Sequence, residues 1–142
     1  MNAEGIAEKW VAGWNSKDSV AFSTLYSLDG KYIDVSFGIV QRGRDAIRSH
    51  HEKWWNAIPD FRMIAERIHL ADGAVIVQVI CEGTFSGADL ARGKMKATSL
   101  PFRGRTCAVL ELDDQGKIAC CTEYYDRAIM PGGAKPPFDQ LV

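Results

Sequence analysis

Three strand-like segments lie in the second half of the sequence, and short connections at two places there limit the fold more than any other feature. Four residues, 113–116, separate the last two segments. Such a connection permits only an antiparallel hairpin, because a parallel pair needs a crossover of a dozen or more residues. A weaker run, 61–70, reaches the first segment through a turn at 71–73. The three segments are Val75–Phe85, Arg105–Leu112 and Ile118–Asp126.

The first half of the sequence carries helical patterns instead. In residues 3–15, apolar side chains recur every three or four positions, which is typical of an amphipathic helix. A second predicted helix, capped by Asp18 or Ser16, runs through about Leu28. A third predicted helix follows, before the three strand-like segments. Helices that precede hairpins predict an α+β fold, in which a curved sheet wraps around three helices.

Length and charge restrict the class of protein further. The chain has 142 residues and a formal net charge of −1, which suits one domain and disfavours a nucleic-acid-binding face. We expect this domain to span residues 1–130 and a Pro/Gly-rich tail to span 131–142. No apolar run approaches the roughly 20 residues of a membrane helix, and no secretion signal is visible. A cytoplasmic location and no membrane partner are therefore expected.

Cofactor motifs are missing from the sequence. The four cysteines lie in apolar strand-like runs without metal-ligand spacing, so we interpret them as free, buried thiols. The sequence also lacks a glycine-rich phosphate-binding loop, a nucleophile elbow and a zinc-type His/Cys cluster. No metal and no cofactor are predicted.

Two aspartates are candidates for acid/base chemistry. A carboxylate in an apolar pocket can take a proton from carbon, because desolvation raises its pKa toward neutrality. Asp126 ends the last predicted strand, on the same face as Tyr124; the alternative is a surface salt bridge with Arg127 or Arg103. Asp34 lies among apolar neighbours in an earlier strand, where it is either functional or hydrogen-bonded at the strand end.

A third predicted helix lies between Gly43 and Pro59 and carries two adjacent histidines, His50 and His51. His51 shares an apolar face with Trp54. This histidine can donate a hydrogen bond to an enolate oxygen, or it can be a packed residue without a catalytic task. The sequence leaves both interpretations open.

Aromatic side chains are numerous and suit a flat hydrophobic or aromatic substrate. Gln78 sits in an otherwise apolar strand and either adds a polar contact to this substrate or belongs to a satisfied buried network. The predicted substrate-binding residues are Trp10, Trp14, His50, Trp54, Phe61, Gln78 and Tyr124.

The segment 86–104 has no clean period and is long for a hairpin loop. It is interpreted either as a lid or rim over a binding site or as a disordered insertion.

Several short motifs occur in an order that resembles the SnoaL-like polyketide cyclases. The resemblance covers about residues 5–130 and places the chain in the superfamily of nuclear transport factor 2, ketosteroid isomerase, scytalone dehydratase and limonene epoxide hydrolase. It implies a cystatin-like cone with one apolar pocket. The motifs are Gly13–Asp18, Tyr32–Asp34, Arg42–Ile47, Ile58–Phe61, Glu82–Gly87, Asp114–Ile118 and Glu123–Asp126.

The same resemblance implies a cofactor-independent enzyme of secondary metabolism, an isomerase or lyase, that cyclises or isomerises a small ketone. It favours Asp126 as the main acid/base group, with Asp34 and His51 assisting. The general base of ketosteroid isomerase corresponds to Asp34, but its two oxyanion donors correspond to Trp10 and Ala108, so steroid isomerisation is disfavoured. The alternatives are a dehydratase or epoxide hydrolase that uses the same carboxylates, and a non-catalytic ligand-binding or dimerisation module. A homodimer is expected from the habit of the fold.

Overall fold

The structure is a computed structural model that describes residues 2–133. It confirms the predicted α+β architecture: a curved, mixed sheet of six strands forms an open cone around three helices. Of the predicted tail, residues 134–142 lie outside the described residues. The elements are α1 (Ala3–Trp14), α2 (Ser19–Ser23), β1 (Tyr26–Asp34), β2 (Ile39–Arg42), α3 (Arg44–Ala57), β3 (Arg62–Ala71), β4 (Ala74–Thr84), β5 (Pro101–Leu112) and β6 (Ile118–Tyr125).

The first helix forms as its periodicity predicts. Asn2 caps α1 by accepting a hydrogen bond from the backbone N–H of Gly5 at 2.8 Å. Ala7, Trp10 and Trp14 are buried, because their spacing of three and four residues puts them on one side of the helix. α1 therefore turns a tryptophan-rich face toward the core.

The second predicted helix is much shorter in the structure, and its predicted end near Leu28 is wrong. Asp18 caps α2 by accepting from the N–H of Ala21 at 3.0 Å, but the helix ends at Ser23. The N–H of Ile118 then donates to the carbonyl of Leu25 at 2.9 Å. This contact draws the chain into the sheet, so Tyr26 begins β1 instead of continuing a helix. Tertiary pairing overrides the local helical pattern here.

The sheet has the strand order β2-β1-β6-β5-β4-β3. The hairpins β3–β4 and β5–β6 are antiparallel, as their short connections predict, and β4 also pairs antiparallel with β5 across the longer connection 85–100. Gly73 and Gly116 take positive φ values of 67° and 77° in two of the turns, a conformation that glycine adopts without steric cost. β1 pairs in parallel with β6. This long-range pairing makes the sheet mixed, and no short connection in the sequence predicts it.

The core lies between the helices and the inner face of the sheet. In β4 the side chains of Val75, Val77, Val79 and Cys81 are buried, and the residues between them are only partly buried. This alternation shows that one face of the strand meets the helices. The other face of the sheet is more exposed, and a homodimer through it stays a prediction.

All four cysteines are free, as predicted, and two of them are fully buried in the core, Cys81 and Cys121. Cys107 and Cys120 are only partly buried. Within residues 2–133, no helix has the length and apolar character needed to cross a membrane.

Candidate active site

A narrow cavity, here called the inner cavity, opens between the helices and the inner face of the sheet. About 310 Å³ of space, part of it open to solvent, lies between its walls. Aromatic rings, aliphatic groups and two carboxyl groups form its walls. The residues that line it are Trp14, Tyr32, Asp34, His50, Trp54, Phe61, Met63, Cys81, Thr106, Glu123, Tyr125 and Met130.

The two carboxyl groups of this cavity, Asp34 and Glu123, lie side by side on neighbouring strands. They are partners in the parallel register of β1 and β6, and their exposed fractions are only 3% and 5%. The N–H of Val35 donates to the Glu123 carbonyl at 3.1 Å and holds the strands together at this level. Because side chains at one level of a sheet share a face, both carboxyl groups point into the cavity.

Asp34 is surrounded by hydrogen-bond donors. The Tyr125 hydroxyl donates to Oδ2 at 2.7 Å, and the N–H of Phe37 donates to Oδ1 at 2.9 Å. Burial raises the pKa of Asp34, while these donors and the positive charge of Arg127 act in the opposite direction. Asp34 therefore has the donors that an ionised carboxylate requires, in a setting that makes it a stronger base than an exposed aspartate.

Glu123 has fewer partners. The Tyr32 hydroxyl donates to Oε1 at 2.5 Å, whereas Oε2 is buried without a hydrogen-bond partner among the described residues. Burial and then the charge of Asp34 raise the pKa of Glu123 to about 8, against a lowering contribution from Tyr32. At neutral pH Glu123 thus carries a proton. Because Tyr32 donates to Oε1, that proton belongs on Oε2, where it is free to be donated to a bound molecule.

Neutral aromatic groups complete the walls of the inner cavity. The indole N–H groups of Trp14 and Trp54 have no acceptor within residues 2–133. His50 lies with its ring 4.6 Å from that of Tyr32. Burial, with smaller contributions from His51 and Lys53, lowers the pKa of His50 to about 4, so this imidazole is neutral at pH 7. The cavity therefore offers donors and flat apolar surfaces around one acid and one base.

A second, wider cavity, here called the outer cavity, adjoins the first and has about 890 Å³ of empty volume. His50 and Trp54 line both cavities and form the wall between them. The remaining lining comes from three places: Phe37, Ile39 and Gln41 near β2, Lys53 on α3, and Leu90, Ala91 and Arg92 on the connection between β4 and β5.

This connection is the segment that the sequence analysis interprets as a lid or a disordered insertion. It spans 85–100 and is shorter than predicted, since β5 already begins at Pro101. Its backbone bonds to the end of α3, where the N–H groups of Gly87 and Ala88 donate to the carbonyls of Ala57 and Asn56 at 2.9 and 2.8 Å. The segment forms a rim of the outer cavity; closure onto a ligand stays a prediction.

Five of the predicted site residues come together in the inner cavity. Asp34 is one of its two carboxyl groups, and Trp14, His50, Trp54 and Phe61 form much of its wall. The rings of Trp54 and Phe61 meet edge to face, with 5.7 Å between their centroids. These contacts fit the predicted pocket for a flat ligand.

Asp126 and Tyr124 do not line the inner cavity. The alternation along β6 is as predicted, but the face assigned to the core is wrong: Tyr124 is 50% exposed, and Glu123 and Tyr125 point inward. Asp126 follows the strand and is exposed, and its Oδ1 accepts from the N–H of Ala128 at 2.8 Å. A shift of one residue exchanges the two faces of a strand, so the pattern alone cannot identify the inner one.

Trp10, His51 and Gln78 also lie outside the lining of the inner cavity. Trp10 is fully buried and donates to the Tyr26 hydroxyl at 3.1 Å. His51 is packed in the core: Nδ1 is 2.6 Å from Ser19 Oγ and Nε2 is 2.9 Å from the Gly13 carbonyl, so Nε2–H donates and Nδ1 accepts. Gln78 lies on the outer face of the sheet, where its Oε1 is 3.0 Å from His69 Nε2.

Glu123 is the main candidate site residue that the sequence analysis overlooks. The available signal is the same as for Asp34, a carboxylate within an apolar strand. A second signal lies in the comparison with ketosteroid isomerase, whose protonated carboxylic acid corresponds to Ala108. Ala108 pairs directly with Glu123 in the register of β5 and β6. A carboxyl group is thus present at that level of the sheet, but on the neighbouring strand.

Within residues 2–133, no group of three or more His, Cys, Asp or Glu side chains is arranged to hold a metal ion. Two neighbouring carboxyl groups, of which Glu123 is protonated at neutral pH, are instead what the cavity offers for chemistry. Such a pair can remove a proton from carbon while donating another to oxygen.

Comparison with known proteins agrees with the fold. The family model for SnoaL-like polyketide cyclase matches residues 4–130. No curated protein matches the sequence significantly.

Solved structures resemble the whole fold. A protein of ketosteroid isomerase-like fold from Catenulispora acidiphila, in complex with trimethylamine, is 20% identical, with a TM-score of 0.79 and coverage of 95% of this chain and 96% of that one. A protein described as a SnoaL-like polyketide cyclase from Jannaschia sp. is 18% identical, with a TM-score of 0.77 and coverage of 94% and 92%. SalBIII, an epoxide hydrolase/cyclase-like enzyme of pyran ring formation in the polyether salinomycin, is 15% identical, with a TM-score of 0.72 and coverage of 89% and 92%.

Proposed function

Because the chain belongs to the SnoaL-like polyketide cyclase family, we propose that it is a cofactor-independent acid/base enzyme that cyclises or isomerises a small ketone in the inner cavity. The observation that carries this proposal is the unpartnered, buried Oε2 of Glu123 beside the hydrogen-bonded carboxylate of Asp34. Burying a polar oxygen without a partner is costly, and a ligand oxygen that accepts its proton offsets the cost.

The reaction begins with proton removal by Asp34. Its carboxylate takes a proton from the carbon next to the substrate carbonyl, and the electrons of that C–H bond form a C=C bond. The carbonyl oxygen receives the Oε2 proton of Glu123 at the same time, so the product is a neutral enol. Glu123 becomes the anion and Asp34 the acid, and the net charge of the site does not change.

The second step decides between the two reaction types. In an isomerisation, Asp34 returns its proton to a different carbon, and Glu123 recovers its proton from the enol oxygen. In a cyclisation, the enol carbon attacks a second carbonyl of the same molecule, a C–C bond forms, the new alkoxide takes the proton from Asp34, and Glu123 again recovers its own. Aromatic walls from Trp14, Trp54 and Phe61 hold the substrate flat between the two groups.

Proton exchange on a neutral ketone tests the proposal without knowledge of the natural substrate. β-Tetralone is incubated with the protein in D₂O near neutral pH, and deuterium incorporation next to the carbonyl is followed by NMR. We expect acceleration by the wild-type protein and a loss of about 100- to 10,000-fold for Asp34→Asn. Asp126→Asn, the matched variant of an exposed aspartate, should stay within about twofold.

Two outcomes contradict the proposal. If Asp126→Asn loses activity while Asp34→Asn retains it, the original assignment of Asp126 as the acid/base group is correct. If the wild-type protein accelerates exchange of neither β-tetralone nor a β-diketone, the cavity belongs to a non-catalytic binding module.

Epoxide opening is a second candidate, favoured by the protonated Glu123 and by the likeness to SalBIII. Glu123 would protonate the epoxide oxygen while Asp34 activates a water molecule or a substrate hydroxyl; a dehydratase would use the pair to remove a proton beside a leaving hydroxyl. Hydrolysis of cyclohexene oxide without exchange of β-tetralone would favour the hydrolase.

A further inference from the structure

The outer cavity differs from the inner one in charge. Its lining contains two cationic side chains, Lys53 and Arg92, and no aspartate or glutamate. Neither cation forms a salt bridge with another residue of the described part of the chain. The two cations come from separate elements, α3 and the rim, so they approach the same space from different sides. An anion in this space is attracted by both cations, and no carboxylate lines the cavity itself.

Arg92 is held in the rim by an unusual backbone. Ala91 and Arg92 have φ values of 52° and 56°, in the left-handed region that residues other than glycine rarely adopt. A bridge between Leu90 and Met95 closes this turn, and the bonds from Gly87 and Ala88 to α3 anchor its base. Backbone strain of this kind persists where the surroundings enforce it, and it often marks a ligand-binding segment.

The wall between the cavities links the charged space to the reaction site. Trp54 lines both cavities and has an exposed fraction of 9%. Its indole N–H has no acceptor within residues 2–133. A substrate whose carbonyl lies at Glu123 and which extends past Trp54 enters the outer cavity, whose lining includes Lys53 and Arg92. Its anionic group cannot occupy the inner cavity, because the negative charge of Asp34 would repel it there.

We infer that the substrate is a flat apolar molecule with a negatively charged group, of the carboxylate type, at the end opposite its reactive carbonyl, and that Lys53 and Arg92 bind this group. This inference rests on the proposed function, since the position of the carbonyl sets the direction of the substrate. Lys53 and Arg92 are binding residues and take no part in proton transfer.

Two dyes with the same aromatic skeleton test the charge preference. Anilinonaphthalene sulfonate carries an anionic group, and phenylnaphthylamine lacks it; both become fluorescent in apolar pockets. Their dissociation constants are measured for the wild-type protein, for the double variant Lys53→Ala/Arg92→Ala, and for a control, Lys9→Ala/Arg67→Ala. The control removes one lysine and one arginine that are exposed and lie outside both cavities.

We expect Lys53→Ala/Arg92→Ala to weaken binding of the anionic dye about tenfold and to leave the neutral dye within about twofold. The control variant should bind both dyes as the wild-type protein does. An equal loss for both dyes, an equal loss in the control, or no measurable binding of the anionic dye to the wild-type protein would overturn the inference.

The two proposals fail separately. Exchange of neutral β-tetralone by the wild-type protein does not involve an anion, so it is unaffected if the dye preference is not found. A clear dye preference together with no exchange on any ketone would leave an anion-binding pocket without the proposed chemistry.

Discussion

The inner and outer cavities share a wall but differ in nearly every other respect. The inner cavity is narrow, and the buried carboxyl groups of Asp34 and Glu123 line it. The outer cavity is wide and carries Lys53 and Arg92. Proton transfer is favoured in a site without water, because burial shifts pKa values and fixes hydrogen bonds. An anion, in contrast, can be bound by cations at an exposed site. The difference teaches that one cone can hold buried carboxyl groups and exposed cations in adjoining cavities, which is the arrangement that the two proposals use.

The largest expected effect concerns stability and is confined to the inner cavity. The pKa of Glu123 is about 8 in the folded protein and near its ordinary value of 4.5 in the unfolded chain. Between these pH values the unfolded chain loses this proton and the folded protein keeps it, so stability falls as pH rises, by up to about 5 kcal/mol. Urea unfolding at pH 5 and pH 8 measures the fall. In Glu123→Gln the contribution of Glu123 to this fall in unfolding free energy should be absent, while Asp126→Asn should show the same fall as the wild-type protein. An equal fall in all three proteins would contradict a raised pKa of Glu123.

The next effect is on turnover. Glu123→Gln keeps the size of the side chain but removes the acid proton, so we expect exchange of β-tetralone to slow by about 100-fold. In the wild-type protein the rate should also fall as pH rises through about 8, because Glu123 then loses its proton. A pH–rate profile of the variant should lack this alkaline limb. A variant that keeps both the rate and the limb would remove Glu123 from the mechanism.

A smaller effect tests the partner of Glu123. Tyr32→Phe removes the hydroxyl that donates to Glu123 Oε1. In the wild-type protein this hydrogen bond lowers the pKa of Glu123. The alkaline limb should therefore move to higher pH, and exchange should slow by about tenfold as Glu123 loses its fixed orientation. A general loss of packing would lower the rate without moving the limb, so the pH–rate profile separates the two explanations.

The smallest effect belongs to the outer cavity. Raising the salt concentration from about 50 mM to about 500 mM screens exposed charges, so binding of anilinonaphthalene sulfonate should weaken by about threefold. The wild-type exchange rate of neutral β-tetralone should stay constant over the same range, because the charges of the inner cavity are buried. Equal salt dependence in both measurements would contradict the expectation that the charges are exposed in the outer cavity and buried in the inner one.

Much of the fold was predictable because its signals are local. The hairpins β3–β4 and β5–β6 follow from short connections, and α1 and α3 follow from apolar side chains that recur every three or four residues. The end of α2 was not predictable, since pairing of Leu25 with Ile118 decides it. The parallel pairing of β1 with β6 has the same long-range character.

For the candidate site, the sequence by itself determined the kinds of residue: a carboxylate within an apolar strand, a histidine beside tryptophans, and no motif for a cofactor. Only the tertiary structure decided which of them meet. It packed His51 into the core and brought His50 to the cavity, and it faced Glu123 inward and left Asp126 exposed. The physical reason is that alternation along a strand defines two faces, whereas the choice of the inner face depends on what the neighbouring strands and helices bury.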